Sequence, residues 1–202
     1  MDYKRIVVIG ASSCLGQVDP EFGGWAGRLR QWFERQNANS ILYNLGISAN
    51  SSTEVVQRLL SEATLRKPDL IIVQIGINDT WRDENIKSPT KTPLGQFREN
   101  IIEIINDAKS LGDVLVVSIF PIDETKTTPI GWMNRYYLLE DAKQYSQTTK
   151  EICQETATSY LDILNDWLKG DYRKYLAPDG LHANPEGHRY TFEAVKAHLC
   201  AF

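Results

Sequence analysis

The strongest strand signal in the chain is the run DLIIVQI at residues 69–75. Its apolar residues follow one another without the polar–apolar alternation of a strand that has one face in water. This pattern is typical of a central parallel strand that helices bury on both faces. Pro68 comes before the run and the polar turn GIND, residues 76–79, follows it.

Other short apolar runs alternate with longer segments whose apolar residues recur at helical spacing. The predicted strands are 6–9, 41–45, 69–75, 114–119 and 160–163, and the predicted helices are 25–36, 52–65, 97–111, 137–159 and 185–199. Asn184 before Pro185 is a good N-cap for the last helix. The alternation predicts one α/β domain over residues 1–202, with a five-stranded parallel sheet between two helix layers in a three-layer α/β/α arrangement.

The composition is that of an ordinary globular protein, since 42% of the 202 residues are hydrophobic and 24% are charged. This excludes a disordered or collagen-like chain. The formal net charge is −4 and Lys and Arg form no long run, so we expect no nucleic-acid partner. No apolar stretch approaches the roughly 20 residues that cross a bilayer, so we expect no membrane insertion.

The cysteine pattern and the first residues of the chain indicate the cellular compartment in which we expect the protein. Cys14, Cys153 and Cys200 lie far apart without CxxC spacing, which predicts free thiols in a reducing environment. The apolar run at residues 6–9 is too short for a signal peptide. We therefore expect a cytoplasmic protein.

Polar clusters follow the predicted strands at residues 10–13, 44–46 and 76–79, and a fourth cluster at 179–182 precedes the last helix. Any one of them is explained as an ordinary turn. Because ligands of open parallel sheets bind at the carboxyl ends of the strands, the four clusters together predict one site assembled from distant sequence.

The residue types in these clusters are those of acyl transfer. A serine hydroxyl becomes nucleophilic when a histidine accepts its proton and a carboxylate orients that histidine. Ser12, His182 and Asp179 have these roles in our interpretation. The oxyanion of the tetrahedral intermediate needs prepared donors, which we assign to the backbone N–H groups of Ser12 and Gly46 and the side-chain amide of Asn78.

The four clusters resemble, in order, the conserved blocks of the SGNH (GDSL-type) hydrolases, and the resemblance covers nearly the whole chain. The blocks are GASSCLG at 10–16, NLGIS at 44–48, GIND at 76–79 and DGLH at 179–182, the last followed by NPEGH at 184–188. The resemblance implies a flavodoxin-like sheet and metal-free hydrolysis of esters or thioesters, with Ser12 as the catalytic serine. Ala11 stands where the family has an aspartate, and Ala49 replaces a second glycine of the second block.

The remaining candidates concern cofactors, supporting residues and the substrate pocket. No HExxH motif, Cys/His spacing or phosphate-binding loop is present, so we expect no metal and no nucleotide cofactor, and we interpret His188 and His198 as structural.

Asp79 is expected to stabilise its own loop. The loops 80–93 and 121–137 follow the third and fourth strands and supply the predicted pocket residues Trp81, Trp132, Met133, Tyr136 and Tyr137.

Several substrates and two other function classes stay open at this point. A small-ester or acyl-thioester hydrolase, a lysophospholipase and a carbohydrate O-deacetylase would share this machinery. A non-catalytic binding domain of the same fold would lack a reactive serine, and a flavodoxin-like cofactor binder would carry a coloured flavin. The oligomeric state is not predicted by these residues.

Overall fold

The computed structural model describes residues 3–201 and contains a five-stranded, all-parallel sheet. Its strands are β1 Arg5–Gly10, β2 Ile41–Gly46, β3 Leu70–Gln74, β5 Asp113–Val117 and β7 Ser159–Leu161. They lie side by side in the order β2-β1-β3-β5-β7. A separate two-stranded antiparallel sheet is formed by β4 Arg82–Asp83 and β6 Arg135–Tyr136. The predicted α/β/α fold with a parallel five-stranded sheet is confirmed.

Helices cover both faces of the sheet. The longer ones are α2 Gly24–Gln36, α3 Ser52–Ala63, α4 Leu94–Lys109, α6 Leu139–Glu155 and α8 Pro185–Cys200. Short α-helices are α1 Ser12–Leu15, α5 Glu124–Thr127 and α7 Ile163–Leu168, and 3-10 turns cover Thr64–Arg66, Ile77–Asp79 and Tyr172–Tyr175. Among residues 3–201, no helix is long and apolar enough to span a membrane.

The alternation of side chains along each strand divides the core into two layers. Ile6, Val8 and Ile72 pack with α2 and α8, whereas Val7 and Ile71 pack with α3, α4 and α6. All five of these strand side chains are fully buried, which explains why the strands read as continuous apolar runs.

The element boundaries differ from prediction mainly in the second half of the chain. The predicted helix 137–159 is Leu139–Glu155, and the predicted strand 160–163 is Ser159–Leu161. A turn at Thr156–Thr158 separates them, with Ala157 at φ 48°, a left-handed conformation that ends a helix. Ile163 begins α7 rather than ending a strand because Asp162 caps that helix by accepting a hydrogen bond from the Asn165 N–H.

Candidate active site

The predicted nucleophile Ser12 begins the short helix α1, directly after β1. The turn between them requires Gly10, because a Cβ at that position would lie 2.0 Å from the Gln74 carbonyl oxygen of the neighbouring strand. Ser12 is 6% exposed. The turn therefore holds the Ser12 hydroxyl at the carboxyl edge of the sheet, in a largely buried position.

Ser12, His182 and Asp179 form a continuous chain of hydrogen bonds. His182 Nε2 lies 3.1 Å from Ser12 Oγ, and His182 Nδ1 lies 2.8 Å from Asp179 Oδ2. An ionised carboxylate only accepts hydrogen bonds, so Nδ1 carries the proton and Nε2 is left as an acceptor for the serine hydroxyl. This is the tautomer that a general base needs.

Asp179 is held ionised by its neighbours. Burial raises the pKa of its carboxyl, but hydrogen bonds from the His182 ring and from the backbone N–H groups of His182 and Leu181 outweigh burial and lower the pKa below its ordinary value. Its Oδ1 accepts the two N–H groups at 2.9 and 2.8 Å, while Oδ2 faces the imidazole. The carboxylate is thus fixed on both oxygens.

Asn78 lies in the 3-10 turn after β3, and its amide contacts two other segments. Its Nδ2 donates to the Asn50 carbonyl oxygen at 2.9 Å, and its Oδ1 accepts from the Tyr137 hydroxyl at 3.4 Å. Tyr137, one of the predicted pocket aromatics, is 2% exposed and lies against this amide. The two contacts fix which end of the amide donates.

Gly46, at the end of β2, allows the backbone of β2 to lie close to the backbone of α1. A Cβ there would lie 2.4 Å from the Leu15 nitrogen. Its own N–H donates to Asn44 Oδ1 at 3.0 Å, and Asn44 Nδ2 donates to the Cys14 carbonyl oxygen at 2.7 Å. The predicted oxyanion donor therefore already has an acceptor in this structure.

Ala49, three residues further on, was not predicted as a functional residue. Its φ is 64°, a left-handed conformation that is uncommon for a residue other than glycine. The next residue, Asn50, carries the carbonyl that binds Asn78 Nδ2. The sequence signal for Ala49 was its position at the family's second glycine.

Arg58 on α3 joins two parts of the site and was also missed. Its guanidinium donates to the Gly10 carbonyl oxygen at 2.9 Å, to Asn50 Oδ1 at 2.8 Å and to Glu62 Oε2 at 2.8 Å. It therefore ties the turn before Ser12 to the loop that contacts Asn78. An arginine inside an amphipathic helix gives no sequence signal for such a role.

Asp79 reaches beyond its own loop, contrary to prediction. Its carboxylate accepts hydrogen bonds from the Ser52 N–H at 3.0 Å and from the Ser52 hydroxyl at 2.5 Å, at the start of α3. Burial raises the pKa of Asp79 to about 6 although the Ser52 hydrogen bonds act to lower it. The residue connects the turn that carries Asn78 to the helix that carries Arg58.

The predicted pocket residues lie in different surroundings. Trp81 is 6% exposed and packs in a cluster with Ile122, Ile130, Tyr137 and Leu181. Met133 is partly exposed, and Tyr136 is half-buried in β6.

Trp132, in contrast, is 52% exposed, and its ring stacks beside His182 with 6.1 Å between centroids and 21° between planes. It is the predicted pocket residue whose ring contacts His182.

A small cavity opens beside Ser12 and His182. Its apolar walls are Ile75, Ile77, Ile119, Phe120 and Leu181. Trp81, Trp132, Met133 and Tyr136, all inside the described range, are not among its lining residues.

His188 is fully buried and supports the loop after α1. Its Nδ1 accepts from the Trp25 N–H at 3.2 Å, and its Nε2 faces the Gln17 carbonyl oxygen at 3.1 Å. Burial lowers the pKa of His188 to about 4. Across the part of the chain from residue 3 to residue 201, no group of three or more His, Cys, Asp or Glu side chains is arranged to hold a metal.

Comparisons with known proteins identify the family. The model of the "GDSL-like Lipase/Acylhydrolase family" matches residues 8–190. GDSL esterase/lipase CPRD49 of Arabidopsis thaliana is 25% identical over 190 residues, which are 91% of this chain and 73% of that protein. An acetylxylan esterase of Geobacillus stearothermophilus is 26% identical over 151 residues, 72% of this chain and 65% of that protein.

Solved structures agree on the fold. The lipase/acylhydrolase from Enterococcus faecalis superimposes with a TM-score of 0.81 at 17% identity, covering 97% of this chain and 95% of that one. Axe2, an acetylxylan esterase from Geobacillus stearothermophilus, superimposes with a TM-score of 0.75 at 23% identity, covering 95% and 92%. The chain therefore belongs to the GDSL-like lipase/acylhydrolase family and is a hydrolase that acts on ester bonds.

Proposed function

We propose that the chain is a serine esterase that works through an acyl-enzyme on Ser12, with His182 as general base and acid and Asp179 as its orienting carboxylate. The observation that carries the proposal is the hydrogen-bond chain from Ser12 Oγ through the His182 ring to Asp179, at 3.1 and 2.8 Å. These distances are within the reach that proton transfer requires.

In the first half of the reaction, Ser12 Oγ attacks the ester carbonyl carbon while His182 Nε2 takes the hydroxyl proton. The new C–O bond places a negative charge on the former carbonyl oxygen. When the intermediate collapses, the bond to the alcohol oxygen breaks and His182 donates its proton to that oxygen. The acyl group stays on Ser12 as an ester, and the alcohol departs.

The second half repeats these steps with water. His182 Nε2 takes a proton from the attacking water, the oxygen adds to the acyl carbon, and the bond to Ser12 Oγ breaks as that oxygen regains the proton. The carboxylic acid is released and the free enzyme is restored. Asp179 stabilises the imidazolium formed in each half and is not itself protonated.

Donors for the oxyanion come from three segments at the edge of the sheet. Asn78 Nδ2 carries two hydrogens, one of which donates to the Asn50 carbonyl oxygen, so the second is left for the oxyanion. The Ser12 N–H at the start of α1 is a second donor. The third donor is the Gly46 N–H, which must first break its hydrogen bond to Asn44 Oδ1.

A fluorophosphonate probe tests the nucleophile, because it forms a covalent bond with an activated serine hydroxyl. We expect one label per chain, on the peptide that contains Ser12 when the protein is digested and examined by mass spectrometry. Ser12→Ala should remove the label and Ser13→Ala, its neighbour, should keep it. A folded protein without any label would support a non-catalytic binding domain instead.

We further propose that the protein works in a reducing compartment. Cys14, Cys153 and Cys200 are all free thiols in the structure, and Cys200 is exposed. An exposed thiol persists in the cytosol more readily than in an oxidising compartment. Secretion of the tagged chain from cells of its source would contradict this proposal.

A further inference from the structure

We propose that Arg58 is a positioning residue for ester hydrolysis, because its guanidinium holds Asn50, and Asn50 holds the Asn78 amide in the direction of the oxyanion. This inference rests on the mechanism proposed above, in which Asn78 is an oxyanion donor. Arg58 lies on α3 and acts through these two residues, without touching the reacting atoms itself.

The guanidinium of Arg58 is anchored on the end of β1. It donates to the Gly10 carbonyl oxygen at 2.9 Å, and the Ile47 N–H donates to the same oxygen at 3.1 Å. Gly10 itself pairs with both β2 and β3 in the sheet. The guanidinium also pairs with Glu62 at 2.8 Å, and the Arg58 side chain is only 12% exposed. Its position is therefore fixed relative to the sheet.

A further hydrogen bond of the guanidinium fixes the loop that contains Asn50. Arg58 Nε donates to Asn50 Oδ1 at 2.8 Å. The preceding residue, Ala49, has a φ of 64°, which is uncommon for a residue that carries a Cβ. A backbone in such a conformation persists when the surrounding structure holds it. Arg58 supplies one of these contacts from outside the loop.

Asn50 in turn fixes the orientation of the Asn78 amide. The Asn50 carbonyl oxygen accepts one hydrogen of Asn78 Nδ2 at 2.9 Å, and the Tyr137 hydroxyl donates to Asn78 Oδ1 at 3.4 Å. Because the amide group is planar, these two contacts also set the direction of the second Nδ2 hydrogen. That hydrogen is the one assigned to the oxyanion. A shift of the Asn50 carbonyl would therefore turn the donor away from the oxyanion.

A residue in this role affects turnover more than substrate binding. The full negative charge on the oxygen exists only near the transition state, so a misdirected donor raises the barrier and leaves the bound ester almost unaffected. A donor misplaced by about 1 Å can lower the rate by about 10²-fold. We therefore expect Arg58→Ala to lower kcat by about 10–10²-fold, with KM nearly unchanged.

The experiment is a double-mutant cycle on p-nitrophenyl acetate, with the wild type, Arg58→Ala, Asn78→Ala and the double variant. Complete fluorophosphonate labelling of Ser12 counts the active chains, so that misfolded protein does not lower kcat. If Arg58 acts through Asn78, Arg58→Ala should lower the kcat of the Asn78→Ala chain by less than about 3-fold. A purely structural role predicts the same factor in both backgrounds.

Two further variants complete the design. Arg30→Ala is the matched control, because Arg30 pairs with Glu34 four residues on at 2.9 Å on α2, outside the site, and it should keep the wild-type kcat. Arg58→Lys covers the case in which Arg58→Ala does not fold. Its single ammonium lacks the planar fork that reaches Gly10 and Asn50 together, so it should show a smaller loss with the same dependence on Asn78.

The possible outcomes separate this inference from the proposed mechanism. Wild-type kcat in the Arg58 variants, or equal losses with and without Asn78, would overturn the positioning role alone if Ser12 is still labelled. Full activity of Asn78→Ala would overturn it as well. Failure to hydrolyse any ester together with an unlabelled Ser12 would overturn the mechanism and this inference with it.

Discussion

The Nε2 atom of His182 lies 3.1 Å from the Oγ atom of Ser12, although 170 positions separate the two residues. The sheet brings them together: Ser12 follows β1, and His182 lies in the turn before α8, which packs on α2. A contact of this span depends on the whole domain being folded. It makes esterase activity a sensitive measure of the correct assembly of both ends of the chain.

Asp179→Asn should lower kcat by about 10⁴-fold, the loss typical when a triad carboxylate is replaced by an amide. The amide presents an N–H where Asp179 Oδ2 accepts the His182 Nδ1 proton at 2.8 Å, so it favours the wrong tautomer. KM should change little. Asp166→Asn, on a partly exposed carboxylate paired with Lys169, is the matched control, and a loss of similar size there would contradict the assignment.

Asn78→Ala should lower kcat by about 10²–10³-fold without abolishing activity, because one oxyanion donor is lost while the others remain. Steady-state kinetics on p-nitrophenyl acetate measures the effect. Asn85→Ala, in the loop between β4 and α4, removes an amide outside the site and should keep the wild-type rate. Full activity of Asn78→Ala would remove this amide from the mechanism.

Asp79 makes stability fall as the pH rises. Its folded-state pKa of about 6 lies above the ordinary 3.8, so between these values the folded state binds more protons than the unfolded state. The ionised carboxyl therefore costs the native state up to about 3 kcal/mol above pH 6. Asp79→Asn should remove this contribution, so that stability in urea unfolding rises more steeply between pH 4 and 6 than in the wild type, while an unchanged pH profile would contradict the burial argument.

The pKa shift of His188 has the opposite effect on the pH dependence of stability, over nearly the same pH range as that of Asp79. Burial lowers its pKa to about 4 from 6.5, so its contribution is fully present above pH 6.5 and is lost as the pH falls towards 4, by up to about 3 kcal/mol. The wild type should show partial cancellation of the two slopes. His188→Gln should lose stability at pH 7 because the buried contacts of the ring to Trp25 and Gln17 are lost. Its stability should then fall less than that of the wild type on acidification, and parallel pH profiles for the two proteins would refute this.

Trp132→Ala should weaken binding of the alcohol part of the substrate. The indole is half-exposed and lies beside the His182 ring, where the leaving group accepts its proton. We expect KM for aryl esters to rise several-fold with kcat nearly unchanged, the pattern of lost uniform binding. Leu65→Ala, on an apolar side chain that is 87% exposed, is the control, and an unchanged KM in Trp132→Ala would exclude this ring from the binding site.

The fold followed from the sequence because buried parallel strands have a simple signature. The runs at 6–9 and 69–75 are β1 and β3 within a residue or two at each end. The helix–strand boundary near Thr156 was missed, because a turn closed by Ala157 at φ 48° has no glycine or proline to mark it. The two-stranded sheet of β4 and β6 was missed because strands of two residues carry no periodic pattern.

Candidate site residues could be predicted from the sequence where the proposed chemistry requires a particular residue type. They could not be predicted where packing between distant segments determines which groups are in contact. The structure joins Ser12, His182 and Asp179 by hydrogen bonds, and their catalytic roles stay predictions. The hydrogen bond from Gly46 to Asn44 and the bridge made by Arg58 depend on side-chain contacts between distant segments, which periodicity does not report. Trp81 is a further example of a position that the sequence alone does not decide. An aromatic residue in a loop can line a substrate pocket or pack in a buried cluster, and Trp81 packs in a cluster.

The most direct test of the proposed mechanism is hydrolysis of p-nitrophenyl acetate by the wild-type chain, Ser12→Ala and Ser13→Ala, with folding verified by circular dichroism. Ser12→Ala should lose activity by a factor on the order of 10⁶, as expected when a triad nucleophile is removed, while Ser13→Ala retains activity. Wild-type activity that survives in correctly folded Ser12→Ala would contradict the mechanism.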